Sequence, residues 1–177
     1  MNELKTQVMI YGGDENDLRN GRLVFKFQGK TLEIVDSYCY LGIILHKSGE
    51  LRTAQTTLKL KAMRTFFVLK RTVIRSKLSF KALNTLFDSL IKPIVLYGSP
   101  IWTPSCTINK SIIKYLKSTP QTTHNFISKI NRVDSEKIYL SFLKWALGVH
   151  HESSNVGVWG ESGRYPLIYE SIRLTLN

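Results

Sequence analysis

At Leu51 the hydrophobic period of the chain changes from two to 3.6. Leu51, Ala54, Leu58, Ala62, Phe66, Leu69 and Val73 then fall within about 120° of arc at roughly 100° per residue. A stripe of that length commits the segment to one long amphipathic helix with its apolar edge on a core. The other face is as constrained. From Leu51 to Phe87 the chain carries nine lysines and arginines and no aspartate or glutamate, although its whole net charge is only +12. On the wheel Arg52, Lys59 and Lys70 line one flank of the stripe, while Arg64, Arg71 and Arg75 cluster on the far side. From Arg52 to Arg75 the rise is roughly 35 Å, close to one turn of a duplex. A solvated helix of an ordinary enzyme mixes both signs, so an acid-free face of this length points to a polyanionic partner rather than to a merely soluble surface.

Upstream of residue 51 the pattern is extended. Val8 and Ile10 alternate with Gln7, Met9 and Tyr11 until Gly12-Gly13-Asp14 breaks the run. Leu23 to Phe27 and Thr31 to Val35 flank Gln28-Gly29, a hairpin turn in which glycine tolerates positive φ. A third extended piece covers Tyr38 to Leu45 and ends at Lys47-Ser48-Gly49. These pieces are expected to form one small antiparallel sheet.

Downstream, Ser79 is placed to cap a second helix that carries Leu83, Leu86, Phe87, Leu90, Ile91 and Ile94 inward, with Pro93 kinking it or ending its regular hydrogen bonding. Tyr97-Gly98-Ser99-Pro100 ends that helix, and Pro104 with the polar residues to Ser111 reads as a linker. Ser135 is expected to cap a helix holding Ile138, Phe142, Trp145 and Ala146, stopped by Gly148. The tail reads as two short helices around Gly163-Arg164-Tyr165-Pro166. The fold class is therefore α+β, in three blocks: strands over 1–49, a basic helical pair over 50–103 and C-terminal helices over 104–177.

Composition narrows the function. With 43% hydrophobic and 11% aromatic residues the chain is too apolar for a disordered tail. Cys39 and Cys106 have no paired spacing, which argues against a disulfide framework or a zinc knuckle and for a reducing, intracellular setting, nuclear or cytoplasmic. No apolar run approaches the roughly 18 residues a membrane span requires, and Met1 to Gln7 lacks the basic start and apolar stretch of a leader. Asp14, Glu15 and Asp17 fail the calcium-loop spacing because Leu18 and Arg19 stand where a ligand and a glycine are needed, so they read as a polar turn. His150-His151 follows a helix end, where capping is favoured over metal ligation, and adjacent histidines point apart on regular structure. Trp102, Trp145 and Trp159 read as core anchors rather than base-stacking platforms. No serine or cysteine lies in a nucleophile elbow or a Cys-His pattern.

Four segments stand in a recognisable order: Asn2-Glu3-Leu4-Lys5-Thr6-Gln7-Val8-Met9, Val35-Asp36-Ser37-Tyr38-Cys39-Tyr40-Leu41-Gly42-Ile43, Leu96-Tyr97-Gly98-Ser99-Pro100-Ile101-Trp102-Thr103, and Asn155-Val156-Gly157-Val158-Trp159-Gly160-Glu161-Ser162-Gly163-Arg164-Tyr165-Pro166-Leu167. The set resembles the C-terminal part of reverse transcriptases of non-LTR (LINE-type) retrotransposons. That resemblance implies that Lys5 and Thr6 sit at the edge of a polymerase palm. It implies that Tyr40, Leu41 and Gly42 form a primer-grip hairpin, and that the acid-free helices are the thumb that holds a template–primer duplex. For Tyr38 and Tyr40, packing within the sheet and contact to sugar or base are both open.

Polymerases of this kind hold two metal ions on paired aspartates. This chain has no Asp-Asp pair, so no cofactor is expected in it, and magnesium would belong to the catalytic palm the chain lacks. The expectation is a non-catalytic fragment that binds RNA–DNA or DNA duplex backbone through Lys5, Tyr40, Leu41, Gly42, Arg52, Lys59, Arg64, Lys70, Arg71 and Arg75, with no membrane partner. Two alternatives accompany it. In one the product includes an upstream catalytic palm and is an active polymerase; in the other the apolar stripes pack on a protein partner.

Overall fold

The computed structural model describes residues 6–12, 24–73, 78–106 and 133–176. Lys5, Arg75, the Asp14-Glu15-Asp17 turn and most of the expected linker lie outside them. The class is α+β, and the chain divides into two compact units, Met1–Ala54 and Gln55–Asn177.

Among its described residues the first unit holds three two-stranded ladders instead of a single sheet. Strands β1 (Gln7–Val8) and β4 (Glu33–Ile34) pair in parallel, with Gln7 opposite Glu33 and the Gln7 amide donating to the Glu33 carboxylate at 2.9 Å. That parallel pair corrects the all-antiparallel expectation. β2 (Lys26–Phe27) and β3 (Lys30–Thr31) form the expected hairpin around Gln28-Gly29, whose φ values of 49° and 82° give a type I′ turn. β5 (Ser37–Tyr40) and β6 (Ile43–His46) are antiparallel. The stretch read as one extended piece is thus a second hairpin. It reverses at Leu41-Gly42 because both residues take positive φ, 48° and 82°.

The second unit is helical. Helix α1 (Arg52–Val73) buries Ala54, Leu58, Ala62, Phe66, Leu69 and Val73, as its period requires. Helix α2 (Phe80–Leu86) starts where Ser79 Oγ accepts the Ala82 N–H at 3.3 Å. Leu83, Phe87 and Ile91 face the core; Leu90, expected inward, is largely exposed. The reason is a π turn over Phe87–Ile91, in which the Lys92 N–H reaches back to the Phe87 carbonyl. The extra residue rotates the face ahead of Pro93, which has no N–H to give, and α3 (Lys92–Val95) follows.

After a turn at Leu96 to Gly98 the chain enters α4 (Ser99–Cys106), so helix continues through Pro104, where a linker was expected. Helix α5 (Asp134–Leu147) begins with Val133 as N-cap. Ser135 lies buried inside its first turn and is not the cap. Both downstream stops are as expected. Gly148 (φ 69°) and Gly163 (φ 62°) close α5 and α6 (Asn155–Ser162) in left-handed conformations, with the Val149 N–H on Lys144 O at 3.0 Å and the Arg164 N–H on Trp159 O at 3.2 Å. Helix α7 (Leu167–Leu176) packs along α4, where Ser99, Thr103 and Ser171 are buried and small enough for close approach.

One core draws on α1, α2, α3, α5, α6 and α7. At its centre Phe142 is fully buried, with ring centroids 4.6 Å from Phe87 and 5.9 Å from both Phe66 and Trp145. Phe87 also lies 5.0 Å from Tyr139. Trp102 is buried with its indole N–H on the Tyr97 carbonyl at 2.8 Å, and Trp159 is buried too. Each such ring contributes about 2 to 3 kcal/mol of burial.

Candidate nucleic-acid interface

The tip of the β5–β6 hairpin places Tyr40, Leu41 and Gly42 together. Ile43 is buried, which anchors the return strand, while Tyr40 and Leu41 are 58% and 71% exposed. The open end is tied by Lys47, whose ammonium lies 3.0 Å from Asp36 and whose N–H donates to the Asp36 carbonyl at 2.9 Å. A leucine in the left-handed region costs of order 1 kcal/mol, and strain of that kind persists where the surroundings over-determine it.

Helix α1 sorts its cations by their angle from the buried stripe. Arg64 and Arg71 lie opposite it and are exposed, as is Arg52 on one flank; Lys70 is half-buried. Among the described residues none of Arg52, Lys61, Arg64, Lys70 and Arg71 has a carboxylate partner. Lys59 differs. Lying beside the buried edge on the α5 side, it reaches Asp134 at 2.9 Å, and Lys137 meets the same oxygen at 3.1 Å. Burial alone would raise the Asp134 carboxyl, yet hydrogen bonds and charge from Lys59 and Lys137 together hold it below its ordinary range. The outer face also exposes Leu60 and Phe67, which with Arg64 and Arg71 fall within about 60° of arc. Sequence reasoning missed this interleaving of apolar and cationic residues, although the same helical wheel carries it.

Four acids of this unit, Asp88, Asp134, Glu136 and Glu170, serve the fold. Asp88, the first acid after the basic window, takes both terminal nitrogens of Arg164, at 2.9 and 2.5 Å, while Arg164 Nε donates to the Tyr139 hydroxyl at 2.8 Å. The hydrogen bonds to Asp88 push the Arg164 pKa further up, and burial raises that of Tyr139. Lys92 pairs with Glu170 at 2.6 Å. Glu136 is fully buried and accepts the Ile168 N–H at 3.3 Å. His150 and His151 occupy a turn rather than regular structure, so their rings approach to 4.1 Å instead of pointing apart, and Glu152 lies 3.8 and 3.9 Å from them. Among the described residues no three His, Cys, Asp or Glu side chains converge to hold a metal ion. No described helix is long and apolar enough to cross a membrane.

These features define an α+β protein whose helical unit commits Asp88, Asp134, Glu136 and Glu170 to contacts within the fold and carries an acid-free row of exposed cations on the outer face of α1. Over 100 residues, 55% of this chain, the sequence is 33% identical to a 115 kDa protein assigned to the type-1 retrotransposable element R1DM of Drosophila melanogaster. The chain spans only 9% of that protein's length, and the likeness is to part of a retrotransposon protein. No family model and no solved structure matches the chain.

Proposed function

We propose that this chain is a piece of a retrotransposon RNA-directed DNA polymerase that holds the template–primer duplex without supplying the catalytic carboxylates. The observation that carries the reading is the outward face of α1, where Arg64 and Arg71 stand exposed with no carboxylate partner among the described residues. The clamp is electrostatic: Arg52, Arg64, Lys70 and Arg71 neutralise backbone phosphates and release counterions, which positions a duplex without reading its sequence. Lys59 contributes by fixing α1 to α5 through Asp134. Tyr40, Leu41 and Gly42 present the hairpin tip to the primer strand, and Lys5 and Arg75 extend the basic set.

The test is filter binding of an RNA–DNA heteroduplex across a salt series. Charge reversal at Arg64 and Arg71 should abolish most binding and flatten the slope of log K against log salt by about 1.8, two phosphates at about 0.9 each. Lys59→Gln should leave the slope unchanged. Equal affinity and slope for wild type and the double reversal would refute the clamp. The exposed Phe67 and Leu60 favour a second reading, packing of this face on a protein surface such as the polymerase palm. That reading expects no retention of any polynucleotide.

A further inference from the structure

A groove of about 580 Å³ opens on the helical unit between the C-terminal part of α1, one face of α5 and the start of α6. Its construction follows from the sequence. Gly148 turns the chain back at the end of α5, and Lys144 Nζ donates to the His151 carbonyl at 2.7 Å, which pins the returning loop alongside the helix. His151 and Asn155 therefore face the row Lys137, Ser141 and Lys144, which stand at i, i+4 and i+7 on α5. Lys70 joins them from α1.

Three lysines from two helices thus border one concavity whose lining, among the described residues, includes no carboxylate. The nearest acids are committed. Asp134 is shared by Lys59 and Lys137, and Glu152 is 79% exposed beside the two histidines. Lys137 shares Asp134, whereas Lys70 and Lys144 have no carboxylate partner among the described residues and burial lowers the Lys144 pKa, so an anion entering the groove meets two uncompensated ammonium groups. Trp145, Leu140 and Val149 supply an apolar floor between the cations. Phosphate-binding rims around an apolar floor suit a nucleotide unit: backbone on the lysines, sugar and base on the floor. A cavity of this size admits a ligand of drug-like dimensions.

We infer that this groove binds the backbone of a single-stranded nucleic acid, taking the unpaired strand that continues from a duplex held on α1. The inference rests on the duplex reading above, because Lys70 belongs to both surfaces. The strand would pass Lys70, then Lys137 and Lys144, with no base-specific contact required.

The experiment compares a blunt RNA–DNA duplex with the same duplex bearing a short single-stranded overhang, titrated against the full chain and against Lys137→Gln/Lys144→Gln. Two phosphates in the groove, at about 0.7 each for a single strand, make the advantage of the overhang grow roughly sevenfold between about 200 and about 50 mM salt. That advantage should disappear in the double variant, whose affinity for the blunt duplex stays within about twofold of wild type. Should the overhang give the wild type nothing while the blunt duplex binds, the groove is overturned and the clamp on α1 stands. Should the double variant keep the advantage, the groove is likewise overturned. If inorganic phosphate competes as well as an oligonucleotide at equal phosphate concentration, the site is a free-anion site and the strand proposal falls. Because Lys144 also holds the loop, circular dichroism of Lys137→Gln alone, with a half-reduced salt effect, guards against reading misfolding as lost binding.

Discussion

Neutralising Glu136 should make the protein more stable in mild base and leave it unchanged in mild acid. Glu136 lies in the first turn of α5, fully buried, and its Oε2 accepts the Ile168 N–H at the start of α7. Two effects compete there. The helix N-terminus and its amides favour the carboxylate, whereas burial favours the neutral acid, and burial wins, pushing the pKa from 4.5 up to about 7. The unfolded chain loses this proton near 4.5 and the folded chain keeps it to about 7, so between those values folding takes up a proton and stability falls as pH rises. At about 1.4 kcal/mol per pH unit the whole window amounts to about 3 kcal/mol, present in full below 4.5 and gone above about 7. Glu136→Gln keeps the volume and the acceptor for Ile168 but cannot ionise. Urea unfolding followed by circular dichroism should give nearly equal stabilities for wild type and variant near pH 4, and an advantage of about 3 kcal/mol for the variant near pH 8. The difference between the two proteins cancels every other titrating group. A difference that stays flat with pH would refute the burial argument, and one that favours wild type at pH 8 would show the helix terminus to be the stronger effect.

Two further substitutions test the packing around the candidate surfaces. Arg164→Lys keeps the charge but loses the two-pronged contact to Asp88 and the Nε–H donated to Tyr139, so stability should fall by about 2 kcal/mol in urea titration; a loss under about 0.5 kcal/mol would mean a lysine can replace the fork. Leu41→Asn, which suits the left-handed turn, should stabilise the β5–β6 hairpin by about 1 kcal/mol and slow hydrogen exchange of the Lys47 amide; unchanged exchange would show that the turn carries no strain.

What was legible in the sequence is what local periodicity and local capping determine. The stripe of α1, the Ser79 cap and the stops at Gly148 and Gly163 each depend on residues within one or two turns. The reversal at Leu41-Gly42 was hidden because a leucine is an uncommon choice for positive φ, and the period-2 pattern runs through the turn without a break. The π turn before Pro93 is hidden because one inserted residue shifts the helical face without changing composition, so a regular 3.6 period carries Leu90 inward while the protein exposes it. At the candidate interface, the angular order of the cations was readable, but their partners were not. Asp134 stands 75 positions from Lys59, and Asp88 stands 76 from Arg164, distances over which no spacing rule operates.

The charge arrangement of α1 runs against what its own stability would select. A helix gains about 0.3 to 1 kcal/mol from acids in its first turn and loses similarly from cations there, yet α1 has no acid in that turn and begins at Arg52. Lys70 and Arg71 in the last turn are accounted for by the helix C-terminus, and Lys59 by Asp134. Lys61 and Arg64 in the middle are accounted for by neither: three positions apart, they repel by a few tenths of a kcal/mol, and among the described residues neither has a carboxylate to offset it. The helix tolerates this because burying Leu58, Phe66, Leu69 and Val73 stabilises it by about 1.5 to 3 kcal/mol each, several times the electrostatic cost. Packing therefore leaves the outer face free to carry any charge, and nothing in the fold requires that charge to be uniformly positive. A uniform sign on a face the core does not constrain is what an external polyanion would select, and it assigns the interface to the side of α1 away from the stripe.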